Sequence, residues 1–197
     1  MAIKYQFNKI GMQSLNKQLK IREIALPTLK SKESALRVTI KKQKENLELI
    51  KESFKKKLEE YSSFVRLWAE FPVEYFQLKN ISTDIKKIAG IKTPVLKELK
   101  YIVEDFSRFT NPAWVTFGIE ILKEFTKILT EIEIADRSVK ILEHALKKTM
   151  QKVNLYEKVQ IPEYKEALRK IKRYLEDEEN LDKAAQKITK QRQAAGG

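Results

Sequence analysis

Few residues of this sequence could do chemistry, and their spacing fits neither a catalytic site nor a metal site. There is one histidine, His144, and no cysteine, which excludes a multi-histidine metal centre, thiolate ligation and disulfides. Because His144 lies between Leu142 and Leu146 in a helical pattern, an ordinary surface histidine is favoured over a pH switch. No Gly-rich phosphate loop, nucleophile elbow or pair of catalytic acids occurs at a recognised spacing. The sequence therefore predicts a protein that is not an enzyme and that uses no cofactor.

Four consecutive acidic residues at 176–179 could attract a cation or a basic partner. On a helix, successive side chains point about 100° apart, so four carboxylates in a row cannot converge on one ion. A solvated face or a contact with a basic protein is therefore favoured, and no metal is predicted.

Three basic clusters raise the question of nucleic-acid or membrane binding. They are Lys41-Lys42, Lys55-Lys56-Lys57, and the group Arg169, Lys170, Lys172 and Arg173. The basic residues are spread around each predicted helix and mixed with Glu, which favours a solvated face or the steering of a protein partner, so no nucleic acid is predicted. A basic coiled-coil adaptor, or a protein that binds nucleic acid or an anionic membrane, remains the alternative interpretation.

The composition is typical of long or coiled helices. The chain has 197 residues and a formal net charge of +13, with 42% hydrophobic residues, 34% charged residues and only five Gly and five Pro. No apolar run reaches the roughly 18 residues that a membrane span needs, and the N-terminus carries no apolar signal segment. We therefore expect a cytoplasmic protein that does not insert directly into a membrane.

Two apolar stripes step by three, four or seven residues over many turns, as in a coiled-coil seam. The first comprises Leu15, Leu19, Leu26, Leu29, Leu36, Ile40, Leu47, Ile50, Phe54, Leu58, Tyr61, Val65 and Trp68, with a local stutter at Ile50, Phe54 and Leu58. The second comprises Phe117, Ile121, Phe125, Ile128, Ile132, Ala135, Val139, Leu142, Leu146, Thr149, Val153 and Tyr156. After Pro162 the pattern resumes less regularly with Tyr164, Leu168, Ile171, Leu175, Leu181, Ala185 and Ile188. Arg22, Glu33 and Gln43 fall on seam positions and could either set the register of a helix pair or be sources of bending.

The predicted fold class is mostly α: a long antiparallel two-helix coiled coil with a short β-hairpin or irregular segment in the middle. The predicted divisions are 1–71 for the N-terminal helix, 72–111 for the middle segment, 112–192 for the C-terminal helix and 193–197 for a flexible tail. In the middle segment, β-branched residues predict two short strands that turn between Gly90 and Pro94. Trp68 and Trp114 lie where the arms meet this segment, as a packed junction or as a docking surface for a partner.

Prolines and cap residues predict where the helices begin and where they are interrupted. Asn111 suits the N-cap of the second arm, Pro112 its first helical position, and Thr110 is a competing cap. Pro27 and Pro162 lie within the arms, where each removes a backbone hydrogen bond. We therefore expect bends or short breaks at both prolines.

Three segments resemble, in order along the chain, the D subunit of the V/A-type ATPases. Residues 29–36 are similar to an L-L-K-x-K-R-D-x-L element of that family, and residues 88–94 to its I-A-G-V-x-x-P turn. Residues 152–162 resemble the family's (K/R)-V-N-A-L-E run followed by I-P. The three matches span nearly the whole chain.

The resemblance implies a non-catalytic central-stalk protein, the rotor shaft of a rotary ATPase. It implies that the coiled coil enters the hexamer of alternating A and B subunits, while the other end docks, with the small F subunit, on the funnel-shaped subunit above the membrane ring. A shaft so placed would transmit torque between ATP hydrolysis or synthesis in the hexamer and ion translocation in the ring, at the periphery of the membrane. The candidate partner-contacting residues are Lys152, Val153, Asn154, Glu157, Ile161, Pro162, Ile88, Gly90 and Pro94.

Overall fold

Long helices and one β-hairpin make up the part of the chain that the structure, a computed structural model, describes: residues 4–62, 68–104 and 111–195. The elements are α1 (Lys9–Tyr61), a 3-10 turn (Val73–Tyr75), β1 (Phe76–Ile88), β2 (Ile91–Val103), α2 (Trp114–Asn154), a π-helical segment (Leu155–Gln160) and α3 (Ile161–Ala195). The predicted fold class is confirmed. Within these ranges, no helix is both long and apolar enough to cross a bilayer.

The chain divides into two compact units. The terminal unit is Met1–Glu33 with Lys148–Gly197, and the hairpin unit is Ser34–Lys147. In the terminal unit, Leu15 of α1 packs against Tyr164, Ala167 and Ile171 of α3. The pairing is antiparallel, since Arg22 contacts Gln160 whereas Gln18, earlier in α1, contacts the later Tyr164.

The start of α1 is a tight reversal that depends on a missing Cβ. The Asn8 side chain caps the helix, its Oδ1 accepting the backbone N–H of Gly11 at 2.5 Å. A Cβ on Gly11 would lie 2.7 Å from the carbonyl oxygen of Gln6, so a larger residue would force the backbone to move. The reversal brings the ring of Phe7 to 5.1 Å from that of Tyr174 on α3. The N-terminal residues are thereby packed on the partner helix.

In the hairpin unit, the rest of α1 packs against α2. Leu36 and Leu142 are fully buried, and with Ile40 they form a cluster against which Ile88 and Ile91 of the hairpin tip also pack. Nearer the other end of this unit, the ring of Phe54 meets that of Phe125 edge-on at 5.5 Å. Exposed ion pairs flank the seam, among them Lys44–Glu143 at 2.6 Å and Lys57–Glu124.

The hairpin joins two antiparallel strands of 13 residues each, with Ile88 paired to Ile91. The turn therefore has two central residues, Ala89 and Gly90, and both have positive φ, 49° and 78°. Positive φ at both positions defines the type I′ turn, whose twist matches the right-handed twist of the strands. The observed strands are longer than those predicted from the sequence, and the turn, Ala89 and Gly90, lies at the start of the predicted Gly90–Pro94 interval.

Strand β2 lies along α2. The hydroxyl of Ser138 donates to the carbonyl of Pro94 at 2.8 Å, and the hydroxyl of Tyr101 donates to the carbonyl of Lys123 at 3.2 Å. Since a later strand residue meets an earlier helix residue, β2 runs antiparallel to α2. A two-stranded hairpin is marginally stable by itself, and this contact supplies the support it needs.

The seam follows the predicted stripe along most of its length, with local exceptions. The polar residues Arg22, Glu33 and Gln43 are all partly buried, as their seam positions require. Leu58 is 54% exposed and Phe117 59% exposed, so both seam assignments were wrong. The last part of the stripe was wrong as well, because Leu181, Ala185 and Ile188 are all exposed, and Val65 lies outside the described residues. Lys57, the neighbour of Leu58, is partly buried instead, and its ammonium group donates a hydrogen bond to Glu124. That hydrogen bond raises the pKa of Lys57. With Lys57 in place of Leu58, the partly buried positions from Ile50 to Tyr61 step by four, three and four residues, so the predicted stutter is absent.

Further predictions about where helices begin, are interrupted and end differ from the structure. Asn111 does not cap α2, which begins at Trp114, so Pro112 is not its first helical residue either. The Oδ1 of Asn111 instead accepts a hydrogen bond from the hydroxyl of Tyr75 at 3.4 Å, while Thr110 lies outside the described residues. The helix α1 is continuous through Pro27, so a short break does not occur there, and Leu26 and Leu29 on either side are partly buried. The helix α3 ends at Ala195 and so extends into residues 193–197, which were predicted to form a flexible tail.

The irregularity expected near Pro162 is a π-helical segment, Leu155–Gln160, immediately before it. Tyr156, Gln160 and Tyr164 face the seam at two successive four-residue steps, whereas the facing stretch of α1 alternates steps of three and four. One extra residue on one helix would normally rotate everything that follows out of the seam. A π-helical turn holds more residues than an α-helical turn and absorbs it.

Replacing Ala89 by Asn should stabilise the hairpin unit. A β-carbon at positive φ costs roughly 1 kcal/mol, and Asn tolerates this conformation better than Ala does. The free energy of unfolding, measured in urea, should rise by about 0.5–1 kcal/mol. Gly90→Ala is the matched control: no atom lies within 4 Å of the added Cβ, so its expected loss of about 1 kcal/mol is purely conformational. Equal effects of the two variants would contradict the turn assignment.

Deleting Val159 should be tolerated, because the π-helical segment can revert to α-helix and leave Tyr164 in the seam. We expect helical ellipticity to be kept and a loss of about 1–2 kcal/mol, from rearranged contacts of Gln160. Deleting the exposed Asn46 from α1 is the control, since no π-helical turn lies beside it. That deletion rotates Leu47 and Ile50 away from the seam by about 100° and should cost several kcal/mol. Similar losses of unfolding free energy for the two deletions would show that the π-helical segment does not accommodate an extra residue.

Candidate functional site

The motif at residues 152–162 lies in the terminal unit, where α2 passes through the π-helical segment into α3. Val153 is only 5% exposed and faces the seam, so its surface is used within the chain. Glu157 forms an ion pair with Lys30 of α1 at 2.6 Å. The remaining candidates reach the surface: Lys152, Asn154 and Pro162 are exposed and Ile161 is partly exposed.

The other three candidates, Ile88, Gly90 and Pro94, lie at the tip of the hairpin. Ile88 packs on the buried Leu36 cluster, and the carbonyl of Pro94 accepts the Ser138 hydroxyl. Gly90 is exposed in the turn. The nine candidates thus belong to two units, six to the terminal unit and three to the hairpin unit.

A network around Arg22, here called the Arg22 clasp, crosses the seam at the π-helical segment. Nε of Arg22 donates to Oε1 of Gln160 at 2.7 Å, and its Nη1 donates to the carbonyl of Gln18 at 2.9 Å. The guanidinium carbon lies 4.5 Å from the ring centroid of Tyr164 and 5.9 Å from that of Tyr156. The Tyr164 hydroxyl donates to Oε1 of Gln18 at 2.6 Å, which closes the network.

The clasp accounts for a cationic residue on a seam position. Burying part of a charge is costly unless the charge has compensating partners, and two aromatic faces with an amide oxygen supply them. Among the described residues, no buried side-chain nitrogen or oxygen lacks a hydrogen-bond partner. A slip of α3 against α1 would separate Arg22 from Gln160 and Tyr164 and so break the clasp. This supports the register role inferred for Arg22. The sequence indicated Arg22 itself, but nothing in it marked Gln18 or Gln160 as its partners.

The two flanks of the seam in the terminal unit differ. One flank carries ion pairs, Lys30–Glu157 at 2.6 Å and Lys165–Glu23 at 2.9 Å. On the other flank, an open groove of about 510 Å³ separates α1 from the motif. Its walls are Ile21, Ile24, Ala25, Thr28 and Leu29 on one side and Lys152 and Tyr156 on the other. Nothing in the sequence pattern marked this groove, because Ile21 and Ile24 lie off the heptad stripe.

The acidic run and the histidine are surface features. Glu176 lies 3.6 Å from Lys172, and Glu179 lies 2.8 Å from Lys183, each pair one turn apart on α3. The hydrogen bond from Lys183 lowers the pKa of Glu179. The side chain of His144 is exposed on α2. These carboxylates therefore pair with lysines of their own helix instead of converging.

The two tryptophans form a packed junction. Their ring centroids are 6.1 Å apart, and the ring of Phe71 lies 5.7 Å from Trp68 and 5.9 Å from Trp114. A Cβ on Gly118 would lie 3.2 Å from the Phe71 ring, so the cluster is closed against α2. Of the two interpretations of these residues, the junction is the one that the contacts support.

Replacing Arg22 by Lys should destabilise the terminal unit, although the charge is kept. The ammonium group of Lys cannot donate from the Nε position to Gln160 while stacking flat on Tyr164, so about 1–2 kcal/mol of unfolding free energy should be lost. The control is Lys30→Gln, which removes an exposed ion pair worth well under 1 kcal/mol. Denaturant unfolding curves for the two variants decide the matter, and a larger loss for Lys30→Gln would contradict the clasp.

Comparison with known proteins gives one consistent family. The family of ATP synthase D subunits matches residues 11–191. The D subunit of a V-type ATP synthase from Borreliella burgdorferi is 34% identical over 190 residues, covering 95% of this chain and 94% of that protein. Proteins of the same name from Chlamydia pneumoniae and Chlamydia caviae are 24% and 28% identical, covering 98% and 95% of this chain and 94% and 89% of theirs. The match includes both arms, the hairpin and the Arg22 clasp, and the chain therefore belongs to the family of ATP synthase D subunits.

Proposed function

We propose that this chain is the central-stalk shaft of a V/A-type rotary ATPase and transmits torque between the catalytic hexamer and the membrane ring. The observation that carries the proposal is the antiparallel seam: in each compact unit, α1 is braced by a second helix along a continuous apolar stripe. A single helix bends and twists easily, whereas two helices locked along a seam resist both. Ion pairs between the helices, such as Lys44–Glu143 and Lys165–Glu23, add lateral bracing.

The proposed partners are the A and B subunits of the hexamer, the small F subunit and the funnel-shaped subunit above the membrane ring. The names of the relatives, which place them in V-type ATP synthases, support a role in such a complex. A shaft turning inside a bearing needs an outer surface that adheres weakly, and outside the groove beside the motif the outward faces of α1 to α3 are rich in charged residues. The exposed motif residues Lys152, Asn154 and Pro162, with Gly90 at the hairpin tip, are proposed contacts.

The alternative, a basic protein that binds nucleic acid or an anionic membrane, has less support. Within the described ranges, lysines from all three basic clusters pair with glutamates. The pairs are Lys41 with Glu45, Lys57 with Glu124, Lys170 with Glu166 and Lys172 with Glu176. Paired lysines have less charge to offer phosphates. Purification of the tagged chain from native membranes after detergent extraction tests the assignment: other subunits of a rotary ATPase should accompany it, and their absence would count against the shaft.

Replacing Leu142 by Asp should uncouple the complex. Leu142 is fully buried between Leu36 and Ile40, and an unpaired carboxylate there costs several kcal/mol, enough to open the seam locally. As the proposed catalytic residues belong to other subunits, ATP hydrolysis should persist while ion pumping falls. In reconstituted vesicles, ions pumped per ATP hydrolysed should drop severalfold.

The matched control is His144→Asp, which places the same carboxylate on the exposed face of the same helix. Its pumping ratio should equal that of the unaltered complex. If Leu142→Asp prevents assembly, Val139→Ala opens a smaller defect in the same seam, with an expected cost of about 1–3 kcal/mol. A normal pumping ratio in an assembled seam variant would show that the seam does not carry the torque.

A further inference from the structure

The groove beside the motif exposes apolar surface that the seam does not use. Ile21 is 64% exposed and Ile24 is 63% exposed, although both are large aliphatic side chains. Together with Ala25 and Thr28 they form a ridge at spacings of three and four residues along α1, facing Lys152 and Tyr156 across the groove. Exposed apolar side chains that line a concave surface mark an interaction site more often than isolated ones do.

Lysines surround this groove. Lys17 and Lys32 lie one helical turn beyond its two ends on α1, Lys20 lies one turn before Ile24, and Lys152 forms part of the opposite wall. In the described part of the chain, none of the four lies within ion-pairing distance of a carboxylate. The opposite flank of the same seam satisfies its charges internally through Lys30–Glu157 and Lys165–Glu23. The groove flank is therefore both apolar and uncompensated in charge.

We propose that this groove docks an acidic amphipathic helix of a partner protein. Apolar residues of that helix at spacings of three and four would fit between the ridge of α1 and Tyr156, as in ridges-into-grooves packing. Acidic residues on its edges would meet the four lysines and compensate their charge. The inference deepens the proposed function, on which it rests for the expectation that the partner belongs to the same complex.

The chemistry of the groove favours a helix over other occupants. Among the described residues that line the groove, the polar side-chain groups are the ammonium group of Lys152 and the hydroxyls of Thr28 and Tyr156. An extended peptide would therefore find few hydrogen-bond partners for its backbone groups. A helix satisfies its own backbone and needs only apolar contact and rim charges. Nucleic acid would place phosphates against the isoleucines, which give them no compensation.

Site-specific photo-cross-linking in the purified complex tests the proposal. A photoreactive phenylalanine analogue replaces Ile24 in one variant and Lys165, on the ion-paired flank, in the control. After irradiation, mass spectrometry identifies the cross-linked segment. We expect Ile24 to capture a segment with net negative charge and apolar residues every three or four positions, and Lys165 not to capture it.

Charge reversal tests the recognition itself. In the Ile24 cross-linking variant, the double replacement Lys32→Glu and Lys152→Glu should lower capture by roughly tenfold at low salt and less at high salt. The same reversal at Lys183, which lies away from the groove on α3, should leave capture unchanged. All three side chains are exposed, so folding, checked by circular dichroism, should be unaffected.

The outcomes separate this inference from the proposed function. Capture of a basic segment, of lipid or of nucleic acid, or capture insensitive to charge reversal, would overturn the docking site. So would a complex of normal composition with no cross-link at Ile24 above the Lys165 control. If the chain instead purifies without rotary-ATPase subunits while Ile24 still captures an acidic helix, the proposed function fails and the docking site stands.

Discussion

The structure depends on one constraint: α1 has an apolar stripe too narrow to be stable alone and long enough to require partners along most of its 53 residues. A helix of that length cannot fold back on itself, so the partner must come from elsewhere in the chain. Two segments meet the need, α2 in the hairpin unit and α3 in the terminal unit. The hairpin, the aromatic junction and the N-terminal reversal then pack on helices whose positions this pairing has already set.

Periodicity made the fold class predictable, because residues at spacings of three and four must share one face of a helix. Where two neighbouring residues competed for a seam position, periodicity could not decide. Lys57 and Leu58 illustrate this: hydrophobicity favours Leu58, but an aliphatic stem with Glu124 in reach favours Lys57, and the contact depends on a residue 67 positions away. The length of the strands was missed for a similar reason, since α2 supports β2 at Ser138 and Lys123 through contacts with no local signature.

The candidate site, that is the Arg22 clasp and the groove beside it, was predictable only in part. Arg22 stood out because a charge on a seam position needs an explanation, and its partners Tyr156 and Tyr164 lay on the predicted stripe. Gln18 and Gln160 carried no signal, because a glutamine on a long polar helix is unremarkable until the register is known. The groove was hidden for the opposite reason: Ile21 and Ile24 are noticeable only once the seam is placed elsewhere.

The pairing of the chain's two ends has a consequence for its synthesis. Translation produces the first 33 residues earliest, yet their partners in the terminal unit begin only at Lys148. The hairpin unit is complete once residue 147 has left the ribosome, so it can form while the terminal unit still lacks one of its two segments. Throughout that interval, Leu15 and Leu19 have no native partner. The apolar stripe of residues 9–33 therefore stays exposed until the residues from Lys148 onward have been made, and exposed apolar surface of this kind is what chaperones bind.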